Sequence, residues 1–326
     1  MNAREETDPA VGERHLEDAE PGAGEAEQRR FEIDLAGHGE RLDRLLARAA
    51  PEFSRSHLQG LVTAGHVLVD GQPCTHNARR LRSGQAVRVT LVPTAESQAF
   101  RPQPMPLSIV FEDEQILVVD KPAGLVVHPA AGNWSGTLLN GLLAHHGPAS
   151  RLPRAGIVHR LDKDTSGLVV VGKTQEAVTA LVRDIAARRV QREYLAIAWG
   201  ELQPPVQRIE APIGRDPVQR TRMAVVAGGK PARTDVEVRA LRDGFSALRC
   251  RLHTGRTHQI RVHLAWRGHP LVADALYGGR PALGLQRQAL HATRLAFEHP
   301  LSRRPMGFDC PPPPDFAAAW MWIVGT

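Results

Sequence analysis

Aromatic side chains are scarce, at 5% of the 326 residues, with only two tyrosines. That shortage argues against a long stacking platform for single-stranded nucleic acid. Cysteine is scarcer still. Cys74, Cys250 and Cys310 are far apart and match neither a zinc pattern nor a disulfide framework, which fits a reducing cytosol and a cytoplasmic protein without a metal. No apolar run approaches the ~18 residues of a membrane span, so no membrane partner is expected, and the acidic N-terminus does not read as a signal peptide. Lysine is confined to Lys121, Lys163, Lys173 and Lys230, so nearly all the positive charge is arginine.

That charge is unevenly spread. Residues 1–30 carry nine acidic side chains against four arginines, and the rest holds 37 basic against 26 acidic, a net of +11. A basic body with a pI near 9.8 suits a polyanion such as nucleic acid. Residues 1–29, acidic and dotted with Gly and Pro, are expected to be a disordered tail.

From residue 30 the pattern becomes structured. Leu42, Leu45 and Leu46 stand at helical spacing and Pro51 stops that helix. Ser54 is a candidate N-cap for a second helix with Leu58, Leu61 and Val62 on one face, and Val67–Val69 runs into an Asp70-Gly71 hairpin turn. Two short helices and a hairpin, with Arg41, Arg44, Arg55 and His57 on the polar side, resemble an S4-type RNA-binding domain, assigned to residues 30–92. Residues 93–106 hold four prolines and no periodicity, as in a semi-rigid linker. Residues 107–326 alternate many strand-like runs with few helices and without strict βαβ order, predicting an α+β domain on a mixed, largely antiparallel sheet.

Four stretches of this larger domain combine polar residues with Gly or Pro: "DKPAGLVVHP" (120–129), "GIVHRLDKDTSG" (156–167), "REYLAIAWG" (192–200) and "HTGRTHQIRVHL" (253–264). Together they resemble the RluA/RluD-type family of RNA pseudouridine synthases. The resemblance implies an isomerase that acts on large-subunit ribosomal RNA, free or in an assembling subunit. It implies no cofactor, and a monomer is expected. By resemblance Asp162 is the catalytic carboxylate. It could attack ribose C1′ or uracil C6, or take the C2′ proton. Arg160 and Lys163 beside it, with an arginine from elsewhere, are expected to keep it ionised, because nearby opposite charge favours the anion. Asp164, with Thr165 and Ser166, is read as closing the turn through side chain to backbone bonds.

Residues 258–264 read as a strand, with His258, Ile260, Val262 and Leu264 on a core face and Gln259, Arg261 and His263 on the other. The resemblance makes Arg261 the partner of the catalytic aspartate. His253, His258 and His263, five apart, cannot share a metal ion on such a strand. In "REYLAIAWG" the alternation puts Tyr194, Ala196 and Ala198 on one face, leaving room for a base on the ring, and the resemblance assigns Tyr194 to the target uracil. The resemblance also implies that Arg160 fills the space left by the flipped nucleotide. His128 and Arg256 are candidate RNA or pocket contacts, and Arg220 and Arg222 candidate phosphate contacts. The rival reading is a catalytically inactive RNA-binding ribosome-assembly factor of the same fold.

Overall fold

The computed structural model describes residues 27–92, 99–130 and 132–325. The chain forms two compact units that divide between Thr94 and Ala95. In the first, β1 (Glu27–Glu32), β2 (Val67–Val69), β3 (Gln72–Pro73) and β4 (Ala86–Leu91) make an antiparallel sheet in the order β1-β4-β2-β3. Helices α1 (Leu42–Ala49) and α2 (Arg55–Thr63) bury Leu42, Leu45, Leu46, Leu58, Leu61 and Val62 against it. Ser54 caps α2, its hydroxyl accepting from the His57 backbone N–H at 3.3 Å. β1 begins at Glu27, inside the segment expected to be disordered; the earlier residues of that tail lie outside the described residues.

The second unit is built on a nine-stranded sheet. Its strands are β5 (Ser108–Glu112), β6 (Ile116–Lys121), β7 (Ser166–Gly172), β8 (Gln191–Trp199), β9 (Val206–Glu210), β12 (Arg233–Arg242), β13 (Phe245–Leu252), β14 (Leu290–Glu298) and β15 (Pro305–Asp309), while β10 (Ile213–Arg215) and β11 (Met223–Val225) form a separate pair. The order is β5-β6-β7-β14-β8-β13-β12-β9, with β15 added alongside β14. Every pairing is antiparallel except the short parallel one of β7 with β14, through Ser166–His291 and Gly167–Ala292. The fold is therefore α+β on a mixed sheet.

Both sides of β6 and β7 are buried, which explains their unbroken apolar runs. Leu117, Val119, Val169 and Val171 pack on α3 (Leu138–His145), whereas Ile116, Val118, Leu168 and Val170 pack on α4 (Gln175–Ala186). Helix α6 (Pro314–Val324) covers β12 and β13. Part of the Pro-rich segment is anchored to this unit: the buried Asn140 amide of α3 donates to the carbonyls of Ala99 and Arg101, at 3.2 and 2.9 Å.

The stretch read as a strand at 258–264 is instead helix α5 (Gln259–Trp266). His258, at φ 57, turns the chain into it, and Gln259 through Leu264 are all buried. A helix buried on every side shows no 3.6-residue period, and its Ile260, Val262 and Leu264 imitate strand alternation. Ahead of the loop that carries Asp162, Arg154 and Ala155 turn the chain through the left-handed region, both at φ 53, and a single bridge then joins Ile157 to Val171.

Candidate active site

Asp162 lies in the loop that ends at β7. Lys121, fully buried at the end of β6, fastens this loop from below: its Nζ donates to the carbonyls of Pro122, Leu125 and Lys163 at 2.8, 2.8 and 2.9 Å. Burial pushes its pKa down to about 8 against the pull of Asp164 and Asp162. The turn closes through the Thr165 N–H to the Asp162 carbonyl at 3.1 Å. This differs from the expected side-chain closure: Asp164 contributes its carbonyl, which accepts from Arg287 Nη1 at 3.0 Å, and Ser166 bonds His291 Nδ1 at 3.0 Å. Gly167 is required where β7 meets β14, since at φ +112 a Cβ would stand 2.2 Å from the Ala292 carbonyl oxygen.

Arg261 Nη1, from α5, donates to Asp162 Oδ2 at 3.0 Å. Behind it Asp274 takes the guanidinium in a two-pronged grip, Nε to Oδ2 at 2.7 Å and Nη2 to Oδ1 at 2.9 Å. Burial disfavours the charge on Arg261, but Asp274 and Asp162 outweigh it and raise its pKa above the usual value. Asp274 is the member of this arrangement that sequence reading missed; it sits in "LVADALYGG", outside the four stretches. Arg160 and Lys163 are exposed and make no ion pair with Asp162, whose direct cationic partner is Arg261. Oδ1 of Asp162 makes no hydrogen bond among the described residues; its neighbour is His258 Nε2 at 3.8 Å. His258 therefore leaves the core position expected of it and faces the carboxylate.

Asp162 opens on a cavity of about 820 Å³. Six arginines (154, 160, 188, 192, 256 and 261) line it, and Asp162 is the one carboxylate in that lining. Tyr194 reaches it from β8 above Ala196 and Ala198, as alternation predicts, and is 5% exposed with its hydroxyl unbonded among the described residues. Burial raises its pKa, with Arg192 opposing and Asp162 reinforcing, which keeps it a phenol. Arg192 lies against Gly255, where a Cβ would come within 2.8 Å of Nη1. His128 and His159 also line the cavity, and each has one buried ring nitrogen without a partner among the described residues. Burial lowers their pKa values to about 4 and about 3, so both are neutral. Among the described residues no three His, Cys, Asp or Glu side chains gather as metal ligands.

The remaining candidates divide. Arg256 lines the cavity and ties back to the Pro231 carbonyl at 3.1 Å. Arg222 is held by Asp216 at 2.6 Å, whereas Arg220 is exposed. In the first unit Arg41 and Arg55 converge on the buried Asp43, at 3.0 and 2.9 Å, with Gln59 at 3.1 Å. Arg44 is exposed. His57 stacks on Phe53 and bonds the Val92 carbonyl at 3.0 Å, so its ring serves the packing of this unit.

Comparison with known proteins matches this architecture. The RNA pseudouridylate synthase family model matches residues 115–266, and the S4 domain model matches residues 40–87. Ribosomal large subunit pseudouridine synthase D of Neisseria meningitidis serogroup B is 50% identical over 296 residues, covering 87% of this chain and 78% of its own. The enzyme of the same name from Escherichia coli K12 is 45% identical over 290 residues, covering 85% and 88%. Among solved structures, human RNA Pseudouridylate Synthase Domain Containing 1 aligns with a TM-score of 0.53 at 29% identity, covering 70% of this chain and 90% of that one. With relatives this similar across most of both chains, and with an S4 domain preceding the catalytic fold, the chain belongs to the RNA pseudouridylate synthase family.

Proposed function

We propose that the chain isomerises uridine to pseudouridine in large-subunit ribosomal RNA, with Asp162 as nucleophile or base on a flipped-out uridine. One observation carries this reading. Arg261 holds one oxygen of Asp162 while the other stands unbonded at a cavity lined by arginines. The names of the relatives support the ribosomal RNA substrate. The reaction breaks the N1–C1′ bond, turns the uracil, joins C5 to C1′, gives up the C5 proton and takes up one proton at N1, so the product is an isomer of the substrate. Atoms and electrons balance without an oxidant.

Each neighbour of Asp162 has a part in this scheme. Arg261 holds one oxygen of the carboxylate in place through its Nη1–H, at 3.0 Å. Tyr194 offers its ring to the uracil, a stacking contact worth about 1–3 kcal/mol, and in this scheme assists removal of the C5 proton. Arg160, exposed at the rim and without an ion-pair partner among the described residues, stacks into the vacated place. Arg256, Arg220 and His128 contact the RNA around the site, and Arg41, Arg44 and Arg55 on the S4 domain add phosphate contacts. We take the chain to act as a monomer. Three buried free thiols agree with work in the cytoplasm, on free RNA or an assembling subunit.

Tritium release from RNA carrying 5-tritiated uridine tests the reading. The wild type is expected to release tritium and Asp162→Asn to release none, while binding of the RNA persists. A wild type that binds but never releases would make the chain an inactive assembly factor. An active Asp162→Asn would remove Asp162 from its role.

A further inference from the structure

His258 is the one side chain beside the free oxygen of Asp162 to which the proposed mechanism gives no task. Its backbone occupies the left-handed region, φ 57 and ψ 23, which a non-glycine residue adopts at a cost of about 1–3 kcal/mol and which clusters at functional sites. That conformation sets the imidazole between Asp162 and Tyr277. The Tyr277 Oη accepts from the Met223 N–H at 3.1 Å and lies 2.9 Å from His258 Nδ1. Because the Met223 N–H already takes one lone pair of the phenol, we assign the phenolic proton to Nδ1. Nδ1 is then an acceptor, and in the neutral ring the proton resides on Nε2, which faces Asp162 Oδ1 at 3.8 Å. Tyr277 itself is fixed by the Arg261 guanidinium 5.0 Å from the centre of its ring.

We propose that His258 is a positioning residue for Asp162: with its tautomer locked by Tyr277, it presents an uncharged Nε2–H to Oδ1 and holds the carboxylate plane so that this oxygen faces the cavity. The inference rests on Asp162 being the reacting carboxylate. A neutral donor orients the oxygen without neutralising it. An imidazolium would instead give Asp162 a second counter-ion and quench the attack.

The groups facing the ring divide in their effect. Asp162 from the catalytic loop and Asp274 from the loop after α5 favour an imidazolium, whereas Arg261 of α5 and Arg160 of the catalytic loop oppose it. Burial is the largest influence, and the balance lowers the pKa of His258 below the ordinary histidine value. The side chain is 19% exposed, so solvent protons reach it.

Single-turnover tritium release, followed from about pH 5 to about pH 9 across the range where histidines titrate, tests this with His258→Gln, His258→Ala and Tyr277→Phe. Gln keeps an N–H donor but cannot charge. His258→Ala is expected to slow the step by about 10²-fold, the scale of a misplaced reacting group. His258→Gln should recover most of that rate and retain activity at lower pH than the wild type. Tyr277→Phe removes the donor that favours the neutral ring, so the acid-side fall should move to higher pH. RNA affinity should change by less than about threefold in all three, because none of these side chains is assigned a phosphate. The proposal is overturned if Gln is as slow as Ala with an unchanged pH profile, or if Ala matches the wild type. Should Ala fail to fold, the pH shifts of the Gln and Phe variants decide. Inactive Asp162→Asn with indifferent His258 variants sinks this inference alone; active Asp162→Asn sinks the reading beneath it.

Discussion

At the scale of residues, Arg261 is the junction of the site. Its guanidinium gives two N–H groups to Asp274 and one to Asp162, so the carboxylate behind the site positions the one proposed to react. Asp274→Ala leaves a buried guanidinium with half its counter-charge. Breaking such a pair costs about 3–5 kcal/mol, and a loss of that size is expected in urea unfolding, together with a fall in tritium release. If the variant unfolds like the wild type, Asp274 is not the support of Arg261. That Asp162, Tyr194 and Arg261 belong to one site was legible from the family resemblance of the motifs that hold them, and the Arg261–Asp162 bond agrees with it. Asp274, Lys121 and His258 were not, since each acts through a partner set by the fold, and nothing in "LVADALYGG" announces a contact with residue 261.

At the scale of elements, α1 carries a similar device. Asp43 in its first turn is fully buried, and its pKa is pulled far below the usual carboxylate range by Arg41 first, with Arg55 and Gln59 adding to the effect against burial. Two cations proposed to meet phosphate are thus held side by side by one anion. Hydrogen bonds to charged groups are worth about 1.5–3 kcal/mol, and Asp43→Ala is expected to lose about that much stability in the S4 domain while weakening RNA binding, read by thermal melting and filter binding. Unchanged melting and affinity would show that the arginines need no such anchor. The helices of this domain were predictable because each buries one face only, with Pro51 and Ser54 marking the boundary. α5 was misread because it is buried all round. The position of Arg261 survived that error, since a motif fixes which residue matters but not which element carries it.

At the scale of the whole molecule, buried neutral histidines set the response to acid. Burial lowers His159 to about 3 and, with Arg154 and Arg160, lowers His128 to about 4. The unfolded chain takes up these protons near pH 6.5, whereas the folded chain refuses them until about 4 and 3. Below pH 6.5 the unfolded state therefore binds more protons, and stability falls as pH falls through that window; above it the contribution is fully present. Urea unfolding at pH 7 and pH 5 should show the lower stability at pH 5. His159→Gln, which can still accept the Val170 N–H, should flatten the slope. An identical slope would remove His159 from the account. The parallel meeting of β7 and β14 also orders events in time. Asp162 waits for an arginine 99 residues downstream, and the Ser166–His291 bond at its base spans 125. During synthesis the S4 domain can close early from local contacts, while the carboxylate gains its surroundings only when β14 has left the ribosome. If the S4 domain binds RNA as proposed, a nascent chain would hold RNA well before it could alter a single base.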